Sequence, residues 1–274
     1  MQAVTLRSED KMNQFDFDET SFDKVASIYE EVRPCYGYEI YRFIDSIKRF
    51  NSDSKILEIG CGTGIATKEI KDFWNPSLIS LEPGTNLISI VRGNLKDYND
   101  IEILNTKFED YKINGMLFDG IFSATAFHWI DPNVKYKKAF SLLKNKGFLI
   151  LYWNNFRVKN KEVQNNIEEI YGKYGMRIYD KPLSEIQKEK IMSRKEEIEN
   201  SGYFKIKAHK LFNNIFEYNS ERYIKLLQTF SDHSKEKVPN IDKLLDEIKE
   251  IIINNNDKIE LSVISNVRLV SCIA

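Results

Sequence analysis

The segment Glu58-Ile59-Gly60-Cys61-Gly62-Thr63-Gly64 sets a carboxylate and three alternate glycines at the end of an apolar run, Ile56-Leu57. Glycines at that spacing allow positive φ and let the backbone come close to a ligand, which makes a nucleotide-binding loop. The dinucleotide fingerprint Gly-x-Gly-x-x-Gly is not met, because its last position holds Ile65 counted from Gly60 and Thr67 counted from Gly62. A second acid, Glu82, follows where a doubly wound fold needs a carboxylate for a ligand ribose, about 20 residues beyond the glycine turn. Such a carboxylate accepts hydrogen bonds from two vicinal hydroxyls. An ordinary strand-end turn acid would stand at the same place. The third chemical feature is Phe127-His128-Trp129, inside Ser123-Ala124-Thr125-Ala126-Phe127-His128-Trp129-Ile130-Asp131-Pro132. A histidine titrating near neutrality can serve as a base or orient a substrate. Phe127 and Trp129 equally fit core aromatics that pin the loop, with Asp131 capping a helix from Asn133.

These residues need strands to carry them. Ile56, Leu57 and Ile59 suit a buried strand, Leu78-Ile-Ser-Leu81 a second that Glu82-Pro83-Gly84 stops, Ile101-Glu-Ile-Leu104 a third, and Leu117-Phe-Asp-Gly-Ile-Phe122 a fourth. The His128 loop therefore leaves a carboxyl end, the edge at which open α/β sheets bind ligands. A fifth strand is expected at 147–153 after a helix at about 134–144, and the alternation breaks at Asn154-Asn155. Charged helical sequence runs on to Asn200, with Lys188 to Glu199 reading as a solvated helix face. A sixth strand is expected at 203–217, helices at 219–230 and 239–254, and a last strand over Lys258 to Ser271.

Glu58-x-Gly60-x-Gly62-x-Gly64 resembles the first motif of class I S-adenosylmethionine-dependent methyltransferases. The Ala-Phe-His-Trp-Ile-Asp run is similar to that of a small-molecule group related to the trans-aconitate enzymes, of the methyltransferase type 11 domain. Tyr29-Glu-Glu-Val-Arg33-Pro34-Cys-Tyr36 resembles their Tyr-x-x-x-Arg-Pro-x-Tyr-Pro segment, with Gly37 in place of the second proline, a change expected to loosen that turn. Tyr223-Ile-Lys-Leu-Leu-Gln-Thr229-Phe230-Ser231-Asp232-His233 is similar to another stretch of the group. The resemblance implies a Rossmann-like, doubly wound α/β sheet of seven strands, the last antiparallel, with helical additions forming a lid. It divides the chain into an amino-terminal helical region of the core at 1–53, a cofactor-binding core at 54–153, a helical insertion at 154–202, and carboxyl-terminal strands at 203–274 with a helical insertion at 219–254. It implies S-adenosyl-L-methionine as cofactor, held by Tyr29, Arg33, Tyr36, Glu58, Gly60, Cys61, Gly62, Thr63, Gly64, Glu82, Phe108, Glu109, Ser123, Ala124 and Phe127. Phe108 would meet the adenine, and Lys107 stands where many relatives carry an aspartate for the adenine amine. Tyr29, Arg33 and Tyr36 would lie over the methionine end, although Arg33 also suits a surface salt bridge. His128 is the catalytic candidate, and Trp129, Asp232 and His233 the substrate candidates.

Composition is compatible with this reading. The 274 residues include 42% hydrophobic ones, enough for a full core, and 40 basic against 41 acidic residues leave a net charge of −1. A nucleic-acid enzyme normally carries a basic footprint, so a small organic acceptor, a carboxylate among the options, is expected, with no nucleic-acid or membrane partner. Cys35, Cys61 and Cys272 lack metal spacing, so no metal is expected, and a cytoplasmic setting is the default. Cys61 reads as packing. A catalytically inactive methyltransferase-like binding protein and a nucleic-acid methyltransferase are the rival readings. The oligomeric state is left open.

Overall fold

The computed structural model describes residue 23 and residues 25–112, 115–176 and 183–273. The first 22 residues of the expected amino-terminal helical region lie outside the described residues. The apolar, β-branched run Lys55–Ile59 forms β1. It pairs in parallel with β2 (Ser77–Leu81) on one side and β4 (Phe118–Ala124) on the other. Beyond β2 lies β3 (Ile101–Leu104), and beyond β4 lies β5 (Leu143–Val158), both parallel. The last strand, β7 (Ile259–Cys272), inserts antiparallel between β5 and β6 (Phe204–Tyr218). The sheet order is β3-β2-β1-β4-β5-β7-β6. The chain turns outward in opposite directions from β1 and β4, so a crevice opens where their carboxyl ends diverge. This is the expected seven-stranded α/β sheet with an antiparallel last strand.

Helices cover both faces. On one, α2 (Tyr38–Asp45) and α3 (Ile65–Trp74) bury Ile40, Tyr41, Ile44, Ala66, Ile70 and Trp74 against Ile56, Phe122 and Ile150. On the other, α5 (Lys135–Leu142) sets Tyr136, Ala139 and Leu142 against Leu57, Ile121 and Leu149. The loop after β2 leads into α4 (Thr85–Asn94). A third apolar cluster joins α1 (Ala26–Val32), α6 (Lys161–Lys173), α8 (Ser220–Gln228) and α9 (Ile241–Asn254) to Leu261 and Val263 of β7.

Two expectations change and a third is extended. The fifth strand does not end at 153 but runs to Val158, paired with β7 from Phe148↔Ser271 to Val158↔Leu261. Asn154 and Asn155 looked like a break, yet Ser265 donates its hydroxyl to Asn154 Oδ1 and Asn155 Nδ2 donates to the Ile264 carbonyl, so the neighbouring strand satisfies both amides. The helix α7 (Leu183–Asn200) has the expected solvated face, with Lys195, Glu196 and Glu199 exposed, but it also buries Ile198 in the core and turns Arg194 to a cavity. Gly37 does not loosen its turn. At φ +91° it holds a conformation closed to proline, and its N–H donates to Glu69 Oε1 at 2.9 Å.

Glu69 also accepts the Tyr36 N–H and the Tyr41 hydroxyl, so one half-sheltered carboxylate ties the link between α1 and α2 to α3. Glu69→Ala strands these donors. It should cost roughly 2–3 kcal/mol, read as a lower urea midpoint at unchanged slope, and an unaltered midpoint would show that the tie carries no stability.

Candidate functional site

The glycine turn is shaped by both a protein neighbour and an open space. Gly60, Gly62 and Gly64 all take positive φ, at 70°, 57° and 92°. A Cβ on Gly60 would overlap the Cβ of Ala126 in the His128 loop, and one on Gly64 would come within 2.8 Å of Val91 in α4. At Gly62 a Cβ would meet nothing within 4 Å, so this residue presents bare backbone. Glu82 is fastened to the same turn. Its Oε2 accepts the Gly62 N–H and its Oε1 the Gly84 N–H, both at 2.9 Å, which holds the carboxylate along the cavity wall.

Beneath the turn, Glu58 is fully buried and accepts the hydroxyls of Thr67 in α3 and Ser80 in β2 at 2.6 and 2.9 Å. Burial pushes its carboxyl up to about 7, against the pull of those hydroxyls and with a contribution from the Glu82 charge. Cys61 packs against Ile88, Val91 and Leu95, Thr63 is buried, and Ser123 donates its hydroxyl to the Ile59 carbonyl. These four side chains support the turn and do not line the cavity. Phe127 is core, packed edge-on to Tyr136.

Thr125 turns the chain sharply after β4. It sits at φ +58°, a costly conformation for a β-branched residue, of order 1–3 kcal/mol. The Tyr36 hydroxyl lies 3.1 Å from its Oγ1, and its N–H donates to the Tyr152 carbonyl. The chain then makes a short 3₁₀ turn, Phe127–Trp129, that delivers His128 and Trp129 to the cavity. Asp131 accepts the Asn133 N–H two residues on, an Asx turn; it is not the cap of α5, which starts at Lys135. Glu109 braces this loop by accepting the Asp131 N–H.

One cavity of about 830 Å³ gathers most of the expected site. Tyr29, Arg33, Gly60, Gly62, Glu82, Phe108, Glu109, Ala124, His128, Trp129, Asp232 and His233 all line it, as does Lys107. Tyr36 reaches it only through Thr125. Arg33 is no surface salt-bridge arginine: it donates to Thr229 Oγ1 and to the Thr229 carbonyl, and its guanidinium lies between the rings of Tyr29 and Phe230. Asp232 holds His233 Nδ1 at 2.7 Å, and His233 Nε2 lies 3.0 Å from the Tyr171 hydroxyl of α6.

Sequence reasoning missed the wall between these groups. Trp153, Asn154, Arg157, Tyr171 and Arg194 line the cavity from β5, α6 and α7. Arg194 lies over the Trp153 ring at 4.2 Å, and Trp153 Nε1 donates to His128 Nδ1 at 3.2 Å. A bulky aromatic followed by polar residues at a strand's carboxyl end was the available signal for Trp153. Arg194 left none, since its helix mixes charges on every side. Burial, and then the nearby Arg268, lower the Arg194 guanidinium to about 10.

Residues 57–151 match the methyltransferase domain family. Over this stretch the chain carries a class I methyltransferase domain. It is 22% identical over 245 residues to an uncharacterized methyltransferase of Schizosaccharomyces pombe, covering 86% of this chain and 91% of that one. It is 31% identical over 133 residues to the malonyl-[acyl-carrier protein] O-methyltransferase of Calditerrivibrio nitroreducens, covering 47% and 51%. The chain spans about half the length of several curated relatives it matches. Among solved structures, a candidate type II methyltransferase from Anaeromyxobacter dehalogenans superposes with a TM-score of 0.60 at 14% identity, over 86% of this chain and 97% of that one. The Mycobacterium tuberculosis cyclopropane synthase MmaA2 gives 0.50 at 13%, over 92% and 94%. These likenesses show the shared fold.

S-adenosylmethionine is the cofactor of this domain, and the residues present fit it: bare backbone at Gly62, a carboxylate aligned at Glu82, and apolar walls from Leu81, Leu87 and Phe108. Among the described residues, no group of three or more His, Cys, Asp or Glu could hold a metal ion, and no helix is long and apolar enough to cross a membrane.

The buried Glu58 should leave a mark on stability. A raised carboxyl binds its proton more tightly folded than unfolded, so its favourable contribution is present below about pH 4.5 and is lost as pH rises through 7. Urea unfolding across that range should show the wild type losing about 3 kcal/mol relative to Glu58→Gln, and parallel pH profiles would refute the assignment.

Proposed function

We propose that the chain transfers the methyl group of S-adenosylmethionine to a small organic acid, at a carboxylate oxygen. The observation that carries this reading is one continuous cavity lined by Gly62 and Glu82 at one part and by Arg157 and Arg194 at another, under the helical cover. When bound, the cofactor supplies a methyl group on a sulfonium, a leaving group that needs no metal. Glu82 takes the ribose hydroxyls, Phe108 the adenine side, and Tyr29 and Arg33 the methionine end, with Arg33 already oriented by Thr229. A carboxylate is ionised at neutral pH and needs no base. The chain's task is then to desolvate the acid, pair its charge and hold one oxygen in line, which can contribute roughly 7–11 kcal/mol of preorganisation. Arg157 and Arg194 supply the charge, and guanidiniums match carboxylates in a fork that lysine cannot make. Trp129, Asp232 and His233 close the acceptor side. The O-methyltransferase name of the relatives from Calditerrivibrio nitroreducens and Halalkalibacterium halodurans supports oxygen as the atom methylated.

Two measurements test this. Calorimetry should show S-adenosylhomocysteine binding at least about tenfold weaker in Glu82→Ala, a loss of about 1.4 kcal/mol or more; equal affinities would remove Glu82 from the ribose. Transfer of labelled methyl to a panel of small carboxylic acids, alcohols, amines, RNA and DNA should favour an acid, with Arg194→Met raising its KM by roughly tenfold or more. Turnover confined to nucleic acid would overturn the proposal, and cofactor binding with no turnover on any class would favour a binding protein.

A further inference from the structure

The contact between Trp153 and His128 decides what kind of group the histidine is. An indole N–H can only donate, so the His128 Nδ1 that receives it must be unprotonated. In the neutral ring the proton then sits on Nε2, across the ring from the indole. A second proton would have to go onto Nδ1, breaking that bond and setting an imidazolium one indole away from the Arg194 cation over the Trp153 face. Trp153 itself is held firmly: it is buried, it lies in the β5–β7 ladder opposite Asn266, and the charge on its face comes from α7. Trp129 also packs against His128, with ring centroids 4.2 Å apart.

From this geometry we infer that Trp153 is a positioning residue that makes His128 a hydrogen-bond donor to the methyl acceptor and not a base. The donor is Nε2–H, and it serves an acceptor that arrives already ionised. No proton is transferred: the acceptor oxygen gains a methyl group, the sulfonium becomes a thioether, and the Nε2–H bond stays intact. The inference rests on the proposed acid acceptor for its chemical meaning, but the state of His128 can be read without any acceptor.

The experiment uses the full chain carrying ¹⁵N in its histidine and tryptophan side chains, studied at neutral pH by long-range proton–nitrogen correlation. The chain has three histidines, and the signals lost in His128→Gln identify His128. Its Nδ1 should resonate as an unprotonated nitrogen and its Nε2 as a protonated one, with a scalar coupling from Nδ1 to Trp153 Nε1. Trp153→Phe keeps a ring for Arg194 and deletes the donor, and should raise the protonated share of Nδ1 roughly threefold or more, toward that of an unconstrained imidazole. A proton on Nδ1 in the wild type, or no change in Trp153→Phe, overturns the inference; if that variant fails to fold, the wild-type spectrum alone decides. With the acid found in the panel, His128→Gln, which keeps an N–H near the place of Nε2 but cannot accept a proton, should hold kcat within about tenfold of wild type. His128→Ala should fall further, toward the roughly 10²-fold loss typical of removing a catalytic group, and equal losses in the two would refute the donor role. S-adenosylhomocysteine calorimetry on the wild type is a separate arm: absent binding would sink the methyltransferase reading without touching the spectra.

Discussion

The approach of the glycine turn to the loop after β4 is the constraint on which the site depends. Gly60 has no Cβ, and Ala126 occupies the space one would fill. Two loops from neighbouring parallel strands thereby become one wall, with Gly62 facing the cavity on one side and His128 on the other. The strained backbone at Thr125 is compatible with this contact because the Tyr36 hydroxyl and the Tyr152 carbonyl hold it. The same interactions tie the segment after α1 into the site, since Tyr36 belongs to that segment and Glu69 anchors its backbone.

Buried carboxylates organise the region below. Glu58 does not point at a ligand; it crosslinks α3 and β2 beneath the turn, and one of its oxygens is buried without a hydrogen-bond partner. Leaving such an atom unsatisfied costs about 1–3 kcal/mol, which is consistent with a carboxyl that takes up a proton near neutrality. Glu82 has the opposite character. Two backbone N–H groups fix its orientation and keep it on the cavity wall, whereas Glu58 is a strut beneath the turn.

The helical cover is joined to the sheet by polar contacts as well as apolar packing. Arg33 reaches Thr229 after α8, and the Tyr218 hydroxyl donates to the Val32 carbonyl at the end of α1. Lys135, itself buried, pairs with Glu197 of α7, and Arg268 of β7 donates to the Ile191 carbonyl of the same helix. These ties set α7 over Trp153, which gives a helix with little apolar periodicity a defined place and gives the cavity a cationic wall.

The sequence by itself determined the strands of the amino-terminal half, the glycine turn, the place of Glu82 and the His128 loop. Each of these is encoded within a few consecutive residues: β-branched runs ended by Gly, Pro or Asn, and an acid one strand further on. It also made legible Phe108, Arg33, Asp232 and His233 as members of one region, through segments similar to those of other methyltransferases. Only the tertiary structure decided that Glu58 lies under the turn, that β5 continues through Asn154 and Asn155, and that Arg194 and Trp153 complete the site. Those outcomes depend on partners far away in sequence, Ser80 for Glu58, Ser265 for Asn154 and His128 for Trp153. A buried polar group is defined by whichever neighbour satisfies it, and the neighbour is chosen by packing, not by local spacing.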